Sequence, residues 1–298
     1  MPALPPLISV IGPVEPALLT FWVHHYRALG IERFLLAFHF PEHVAPERRQ
    51  QLLATCRALG IIPVLVSTGP WHEHTNPQLR DALRERAGTG WHLLADADEF
   101  HAYPAPLTEV VAAADRSQTG TAGGLMLDRV AADGALTGWD AATGLDAAYP
   151  LGGFLTHHLL QGDPRKIVLA HSGVPVASGQ HLAEGHRPAN RPPVVVHHFK
   201  WRDGVRQDVE RRAAHSADGT WQTASPARLA EARRLLEHLQ RHGGRIAVGA
   251  PRLNFRPVSL DTIPVWWAAE ATRLVATWRP PAPKGQKEPG SMISSPSS

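Results

Sequence analysis

Cysteine and long apolar runs are nearly absent from this chain of 298 residues. Cys56 is the only cysteine, which excludes an intrachain disulfide and a zinc site built from cysteines. No apolar stretch approaches the roughly 18 residues that a membrane-spanning helix needs. Residues 1–6 also lack the basic segment that opens a secretory signal. Together these absences predict a reduced, cytoplasmic compartment.

Lysine is scarce as well, because nearly all of the 30 basic residues are arginine. The arginines are interspersed with acidic residues and form no basic run, so the net charge of +3 does not predict nucleic-acid binding. Only Lys166 and Lys200 lie outside the C-terminal tail. A lysine is a compact point charge suited to phosphate, so both are candidate donor-binding residues. The alternative is a surface lysine whose aliphatic stem is buried.

What the sequence does contain is an alternation of strand and helix signals. The first half is predicted to form strands at 7–11, 33–40, 61–66 and 91–95, separated by helices at 15–29, 46–59 and 76–87. This order predicts an α/β fold with a mainly parallel sheet and helices on both faces. Further strands are predicted at 121–130, 166–170 and 194–198, and a further helix at 225–241.

The predicted organisation is one sheet domain over residues 1–215, a helical extension over 216–279 and a disordered tail over 280–298. Trp266 and Trp267, with Leu274 and Trp278, predict a C-terminal helix with an aromatic stripe. This stripe either packs on the domain or provides a peripheral membrane or partner surface.

Ligands of such a sheet bind beyond the carboxyl ends of its strands. Neither a P-loop nor a glycine-rich dinucleotide motif occurs there, which argues against ordinary nucleoside triphosphatases and NAD enzymes. Trp71 follows the third predicted strand and precedes a His-Glu-His sequence. We expect this segment to form a pocket wall, where the indole ring can stack on a sugar or a base.

A cluster of carboxylates follows the fourth predicted strand, with Asp96, Asp98 and Glu99 within four residues. Like charges this close repel each other unless a cation compensates. In an extended segment Asp96 and Asp98 point to the same side, because side chains alternate along a strand. Two such carboxylates can hold Mg²⁺ or Mn²⁺ together with phosphate oxygens, which suggests transfer from a phosphorylated donor. The alternative is a solvated acidic turn.

This cluster resembles the metal motif of GT-A-fold glycosyltransferases of families 2 and 92. Residues 21–31, Phe-Trp-Val-His-His-Tyr-Arg-Ala-Leu-Gly-Ile, are similar to the Trp-Val/Ile-x-Tyr-His-x-x-Leu-Gly-Val segment of that group. Residues 178–181 and 197–201 also match, so the resemblance covers residues 8–212 in the family's order. The chain departs from the pattern at His25-Tyr26, which reverses the usual order. It also departs at 38–43, where relatives carry an Asp/Asn/Ser-rich loop near the donor nucleotide.

The resemblance implies a divalent cation that bridges the diphosphate of a nucleotide-sugar. Carried over, Asp98 is the metal ligand, and Asp96 contacts the metal or the ribose side of the donor. His181 and His198, each in a matched motif, are candidates for a third ligand, or else hydrogen-bonded interface histidines. His197 and His198 are adjacent in a predicted strand, so at most one of them should face the site.

The implied partners are a nucleotide-sugar donor, expected to be UDP-linked, and a glycan, lipid-linked or other hydroxyl acceptor. Glu15 matches an acidic residue that contacts the donor base region in relatives. Its alternative role is a carboxylate in the first turn of a helix, where the helix dipole favours it.

An inverting transfer of this kind needs a carboxylate base for the acceptor hydroxyl. We favour Asp128, with Asp140 and Asp163 as other loop carboxylates, although Arg129 could instead pair with Asp128 as a structural ion pair. Glu99 either acts in the acceptor site or holds the loop in place.

The leading hypothesis is therefore a metal-dependent, inverting glycosyltransferase. A metal-dependent phosphohydrolase or nucleotidyltransferase would use the same carboxylates, but it predicts a second metal and more converging ligands. A non-enzymatic alternative is a degenerate GT-A domain that binds carbohydrate or a partner, which the altered loop at 38–43 would suit.

Overall fold

The computed structural model describes residues 4–186, 193–217 and 226–277. Its strands are β1 Leu7–Ile11, β2 Phe34–Phe40, β3 Leu65–Thr68, β4 Trp91–Leu94, β5 Glu99–Ala102, β6 Thr121–Val130, β7 Leu151–Gly153, β8 Arg165–His171, β9 Val194–His198 and β10 Arg256–Pro257. Its helices are α1 Pro16–Ala28, α2 Pro46–Ala58, α3 Thr75–Ala87, α4 Leu107–Ser117, α5 Leu145–Ala148, α6 Leu155–His158, α7 Val205–Ala217, α8 Pro226–Arg241 and α9 Val265–Ala276. The predicted tail at 280–298, Trp278 and the predicted helix cap Ser225 lie outside the described residues.

The first half of the chain forms the predicted parallel sheet. Its strands lie in the order β3-β2-β1-β4, and every neighbouring pair is parallel. Strands β1 and β2 are almost wholly buried, as expected for apolar runs that helices cover on both sides. The α/β fold class predicted from the sequence is confirmed in this part of the molecule.

Helices cover both faces of this sheet. Side chains of β1 alternate between the two faces, so each face contributes to a different apolar cluster. Leu7 and Ile11 share one apolar cluster with α1 and α2, whereas Ile8 shares another with Leu83 of α3. Trp22 of α1 lies at the centre of the first cluster and is fully buried. The helices therefore cover the faces of the sheet and leave the carboxyl ends of its parallel strands accessible.

The second half extends the sheet with mostly antiparallel pairs. β8 lies antiparallel to β4, β6 antiparallel to β8, and β7 and β10 complete that edge. β9 lies between β6, to which it is parallel, and β5, to which it is antiparallel. The sequence did not predict β5, which is only four residues long and lies inside the acidic segment. It also did not predict α4 and α7.

The start of β3 and the cap of α3 differ from the sequence-based prediction. β3 begins at Leu65 rather than at residue 61, because Ile61 closes the end of α2 through its backbone bond to Cys56. α3 begins at Thr75 with His74 in the N-cap position. Asn76, predicted to cap this helix, instead accepts a hydrogen bond from Trp71 through its side-chain oxygen.

The C-terminal helices share cores with the sheet. Leu235 and Leu239 of α8 pack in one cluster with Trp201. Trp267 of α9 is fully buried in another cluster with Leu125 of β6, so this part of the predicted aromatic stripe is core packing. α7 continues through the domain boundary predicted at residue 215. Within the described ranges, no helix is both long and apolar enough to cross a membrane.

Candidate functional site

A cleft of about 930 Å³ opens at the carboxyl ends of the parallel strands. The segments that follow β1, β3 and β4 all contribute to its wall, at 12–15, 71–73 and 96–98. The loop after β2 supplies His43 to this cleft and lines an adjoining cavity of about 320 Å³. The edge of the sheet at which the sequence predicts a ligand is therefore concave in the structure.

Side chains of α1 donate hydrogen bonds to the backbone of the carboxylate segment and of the strand that follows it. The Trp22 indole Nε1 donates to the backbone carbonyls of Asp96, at 3.0 Å, and Glu99, at 3.1 Å. The Tyr26 hydroxyl donates to the same Glu99 carbonyl at 3.0 Å, and His25 Nε2 donates to the carbonyl of His101. The aromatic residues of the matched α1 motif thus fix the backbone from which the carboxylates project.

One side of the carboxylate segment is closed by a buried lysine. The Lys166 Nζ atom lies 2.9 Å from Asp96 Oδ2, 2.7 Å from Glu99 Oε1 and 2.9 Å from the carbonyl of Gly179. Three oxygen atoms thus surround the Lys166 ammonium, and of these Asp96 Oδ2 and the Gly179 carbonyl accept its hydrogen bonds. Lys166 is 2% exposed and does not line the cleft. The ammonium compensates the repulsion between Asp96 and Glu99 inside the protein.

The remaining oxygen of Asp96 is held by Gln180. The Gln180 side-chain amide donates to Asp96 Oδ1 at 2.8 Å. The turn that delivers this amide has left-handed backbone at Gly179, with φ of +73°, and at Gln180, with φ of +59°. Glycine suits the first position, because a Cβ there would lie 2.7 Å from the ring of His181. This contact explains part of the matched segment 178–181, from which the sequence did not single out Gln180.

The charges of this closed side depend on one another. Burial alone would lower the pKa of Lys166, but Asp96 and Glu99 raise it above its ordinary value. Burial would raise the pKa of Asp96, yet the charge and hydrogen bond of Lys166 lower it. Burial raises the pKa of Glu99 to about 7, against the opposing charge of Lys166. The single ammonium therefore keeps Asp96 ionised and leaves Glu99 as the weaker acid.

The other side of the segment, formed by Asp98 and His198, is open to the cleft. Pairing of β5 with β9 places Glu99 opposite His198, so Asp98 lies directly beside this histidine. His198 Nε2 and Asp98 Oδ2 are 3.8 Å apart, and both residues line the cleft. The Asp98 side chain is 26% exposed. A carboxylate and an imidazole thus converge where a ligand can reach them.

Asp128 fixes the orientation of His198. The parallel pairing of β6 with β9 places these residues side by side, and His198 Nδ1 donates to Asp128 Oδ1 at 3.0 Å. In the neutral ring the Nε2 lone pair therefore points toward Asp98 and the cleft. The cleft therefore presents an imidazole nitrogen and a carboxylate oxygen side by side.

This arrangement corrects the expectation that Asp128 is the acceptor base. Asp128 is 1% exposed and also accepts hydrogen bonds from the backbone and hydroxyl of Thr156 and from the indole of Trp201. Burial would raise its pKa, but the hydrogen bonds from His198, Thr156 and Trp201 lower it. A buried, fully hydrogen-bonded carboxylate of low pKa does not accept a proton from an acceptor in the cleft.

Arg129 does not pair with Asp128, so that alternative is wrong as well. Its guanidinium pairs with Asp146 at 2.8 Å and donates to the carbonyl of Tyr149. It also contacts His197 Nδ1, on the face of β9 opposite to His198. Only His198 of the two adjacent histidines lines the cleft, as the alternation of strand side chains predicts.

Two further predicted residues do not line the cleft. His181 Nδ1 donates to the carbonyl of Arg165 at 2.8 Å, and burial lowers the pKa of His181 to about 4. Glu99, predicted for the acceptor site, is buried and accepts a hydrogen bond from the Asp96 backbone. Glu99 therefore takes the second role that the sequence left open, which is to hold the loop.

Lys200 and Arg212 are cations of the cleft wall with no carboxylate within ion-pair distance among the described residues. Burial and the charge of Arg212 lower the pKa of Lys200, whereas Asp98 acts in the opposite direction. By contrast, Glu15 forms two hydrogen bonds with Arg202, at 3.2 and 3.0 Å, and occupies the N-cap position of α1 without a side-chain capping hydrogen bond. Arg48 of the cleft wall likewise has no carboxylate partner among the described residues, so Lys200, Arg212 and Arg48 are available to an anion.

Trp71 lies at the border between the cleft and two neighbouring cavities. The guanidinium of Arg228 lies 5.1 Å from its ring centre and that of Arg212 5.9 Å. Its ring also lines a third cavity, of about 460 Å³, on the side of α8. The sequence-based prediction of a pocket wall at Trp71 agrees with this position.

The cleft wall offers two types of ligand that divalent cations accept. The Asp98 carboxylate suits Mg²⁺ or Mn²⁺, the His198 imidazole is a more usual ligand of transition metals, and Mg²⁺ sites are usually completed by phosphate oxygens and water. Asp128 accepts the Nδ1 proton of His198, and such a carboxylate commonly orients a ligating histidine. In the part of the chain that the structure describes, no three His, Cys, Asp or Glu residues form a group able to hold a metal.

No family model and no curated protein sequence matches this chain. Among solved structures it is similar to a mannosyltransferase, PcManGT from Pyrobaculum calidifontis in complex with GDP-Man and Mn²⁺, with 14% identity over 93% of this chain and 86% of that one, at a TM-score of 0.39. It is also similar to residues 1–349 of S. aureus TarS, with 10% identity over 81% and 73% of the chains and a TM-score of 0.31. A UDP-glucose pyrophosphorylase complexed with UDP-glucose gives 9% identity over 56% and 74%, at 0.26.

Proposed function

We propose that this chain is a metal-dependent glycosyltransferase that moves a sugar from a nucleotide-sugar to a hydroxyl acceptor. The convergence of Asp98 and His198 at 3.8 Å in the wall of the cleft carries the proposal. Two protein ligands suffice for a cation that also binds the diphosphate of the donor. The resemblance of the sequence motifs in α1, β5 and β9 to GT-A glycosyltransferases supports the same reaction.

The cation would be held by Asp98 and His198, and it would supply positive charge to the departing nucleoside diphosphate. Lys200 and Arg212 lie in the same wall and supply further charge to the phosphate oxygens. Asp96, held by Lys166 and Gln180, has lone pairs left on both oxygens and lines the cleft, where it can accept a ribose hydroxyl. We propose a UDP-linked donor and inversion at the anomeric carbon.

The first test is a thermal-unfolding titration with UDP, GDP and CMP, each with and without Mn²⁺. A nucleotide at about 100 times its Kd stabilises the native state by about 2.7 kcal/mol. We expect one nucleotide to do so only when Mn²⁺ is present. In Asp98→Asn the affinity should fall about 100-fold or more, which reduces the stabilisation to about 0.4 kcal/mol.

The matched control is Asp208→Asn, because Asp208 lines the same cleft but pairs with Arg211. It should keep the metal-dependent stabilisation. If no nucleotide stabilises the wild-type protein under either condition, the binding-module alternative replaces the transferase. Cleavage of a bound nucleotide-sugar to nucleoside monophosphate and sugar 1-phosphate would instead favour the phosphohydrolase, and formation of pyrophosphate from a nucleoside triphosphate and a sugar 1-phosphate would favour the nucleotidyltransferase.

A further inference from the structure

The third cavity, between the cleft and α8, has a carboxylate that the proposed donor site does not use. This cavity of about 460 Å³ shares Trp71, Lys200 and Arg212 with the cleft wall. Lys200 lies near both Asp98 and Glu231, because the charges of these two carboxylates each raise the pKa of its ammonium group. An acceptor in this cavity would therefore lie next to a donor in the cleft.

Three carboxylates line the third cavity, and two of them are paired with cations. Glu73 lies 3.5 Å from the Nε atom of Arg228, and Asp163 holds Arg165 through both oxygens at 2.7 and 2.8 Å. Glu231 has no hydrogen bond and no ion pair with any residue that the structure describes. A carboxylate without a cationic partner keeps its oxygen lone pairs available to a hydroxyl proton.

The helix neighbours of Glu231 are turned away from it. Arg228 and Arg234 lie three residues before and after it on α8, where ion pairs within a helix usually form. Arg228 instead contacts Glu73 and lies over Trp71, and Arg234 donates to the carbonyl of Leu160 at 2.7 Å. Among the residues that the structure describes, the Glu231 carboxylate therefore has no partner at the wall of the cavity.

A glycine leaves room for this carboxylate on the opposite wall. A Cβ added at Gly162 would lie 3.1 Å from Glu231 Oε1, which is tighter than an ordinary contact. The preceding residue, Gln161, has left-handed backbone with φ of +57°, and Gly162 donates its backbone N–H to the carbonyl of Thr156. Backbone strain in a non-glycine residue persists only where surrounding structure holds it. The turn at 161–162 therefore packs closely against Glu231.

We infer that the third cavity binds the hydroxyl-bearing acceptor, a saccharide, and that Glu231 is the base that takes the proton of its reacting hydroxyl. This inference rests on the proposed function. The hydroxyl proton passes to a Glu231 oxygen, and the oxygen lone pair forms the new bond to the anomeric carbon. The bond from that carbon to the phosphate oxygen breaks, and its electron pair leaves with the nucleoside diphosphate. Charge and atoms balance without a further reactant.

The test measures nucleoside diphosphate release from UDP-glucose and GDP-mannose with Mn²⁺, in water and with methyl glucoside or methyl mannoside added. A free base beside the anomeric carbon also activates water, so wild-type protein must release diphosphate without an added saccharide, and faster with one. Glu231→Gln should lower this rate about 100-fold or more, the usual contribution of a general base. Binding of the nucleoside diphosphate with Mn²⁺, measured by calorimetry, should stay within about twofold of wild type.

Two further variants separate loss of the base from damage to the fold. Glu237→Gln changes a carboxylate on the exposed face of α8 and should keep the wild-type rate. Gly162→Ala places a methyl group against Glu231 and should lower the rate without changing the charge, because displaced catalytic groups lose efficiency steeply.

The outcomes for the base and for the proposed function are distinct. If Glu231→Gln keeps the wild-type rate, or if wild-type protein binds the donor and releases no diphosphate, Glu231 is not the base. If wild-type protein binds no nucleotide at all, the proposed function fails, and the inference fails with it.

Discussion

Asp96 and Asp98 are two residues apart and end in different chemical surroundings. Asp96 accepts bonds from Lys166 and Gln180, so the protein itself satisfies both of its oxygens. Asp98 faces His198 at 3.8 Å and is open to the cleft. The difference teaches that two aspartates this close in sequence need not be held alike. Hydrogen bonds from the protein fix Asp96, whose side chain is 36% exposed in the cleft wall, whereas the Asp98 carboxylate accepts no side-chain hydrogen bond from any described residue.

The largest expected effect is a difference in unfolding free energy between a substitution of Lys166 and a substitution of Lys200. Lys166→Met leaves Asp96 and Glu99 without their buried cation, and loss of one partner of a buried ion pair costs about 3–5 kcal/mol of unfolding free energy. Lys200→Met removes a lysine without an ion pair, so the free energy of unfolding should change by less than about 1 kcal/mol. Nucleotide affinity should fall about tenfold in Lys200→Met, because one charged contact to phosphate is lost.

Urea unfolding at pH 7 and nucleotide calorimetry measure these two effects. Equal losses of unfolding free energy in the two variants would show that Lys166 and Lys200 contribute equally to stability, against this prediction.

A smaller effect is expected from the carboxylate behind His198. Asp128→Asn replaces a charged acceptor by an amide, which weakens the hold on the Nδ1 proton and on the orientation of the ring. Loss of a carboxylate that hydrogen-bonds to a ligating histidine typically weakens metal affinity about 10- to 100-fold. The measurement is Mn²⁺ affinity by calorimetry in the presence of the bound nucleotide. Unchanged Mn²⁺ affinity in a folded variant would mean that His198 is not a ligand.

The smallest effect is a pH dependence on the closed side. Since the pKa of Glu99 is raised from 4.5 to about 7 in the folded protein, the native state retains a proton that the unfolded chain has lost between these values. Its contribution to stability is therefore present below about pH 4.5 and decreases as the pH rises toward 7. Glu99→Gln removes this titration but not that of the buried histidines.

The free energy of unfolding of wild type minus that of Glu99→Gln should accordingly fall between pH 5 and pH 7, by at most about 1.4 kcal/mol per unit. Parallel curves for the two proteins would contradict the raised pKa of Glu99.

Much of the first half of the fold was predictable from local pattern. β1 and α2 occur where apolar runs and helix signals place them, because these elements depend on residues close in sequence. β5 was missed, since four residues carry too little periodicity to be recognised. The site was predicted in part, as Asp98 and His198 line the cleft, whereas Lys166 lies beneath it.

The roles of Asp128, Lys166 and Gln180 could not be assigned from sequence because their partners lie far along the chain. Gln180 reaches Asp96 across 84 residues, and Lys166 reaches it across 70. Glu231 carries no local signal, because a glutamate between arginines on a helix is an ordinary pattern of a solvated surface.

The sequence by itself determined the parallel sheet, the edge at which the cleft opens and the position of the carboxylates, since period and strand order follow from neighbouring residues. Only the tertiary structure decided which carboxylate the protein holds with its own hydrogen bonds. β9 lies between β5 and β6, and its register sets His198 beside Asp128 and next to Asp98. A shift of one residue in β9 would turn His197 toward the cleft instead, because strand side chains alternate between faces.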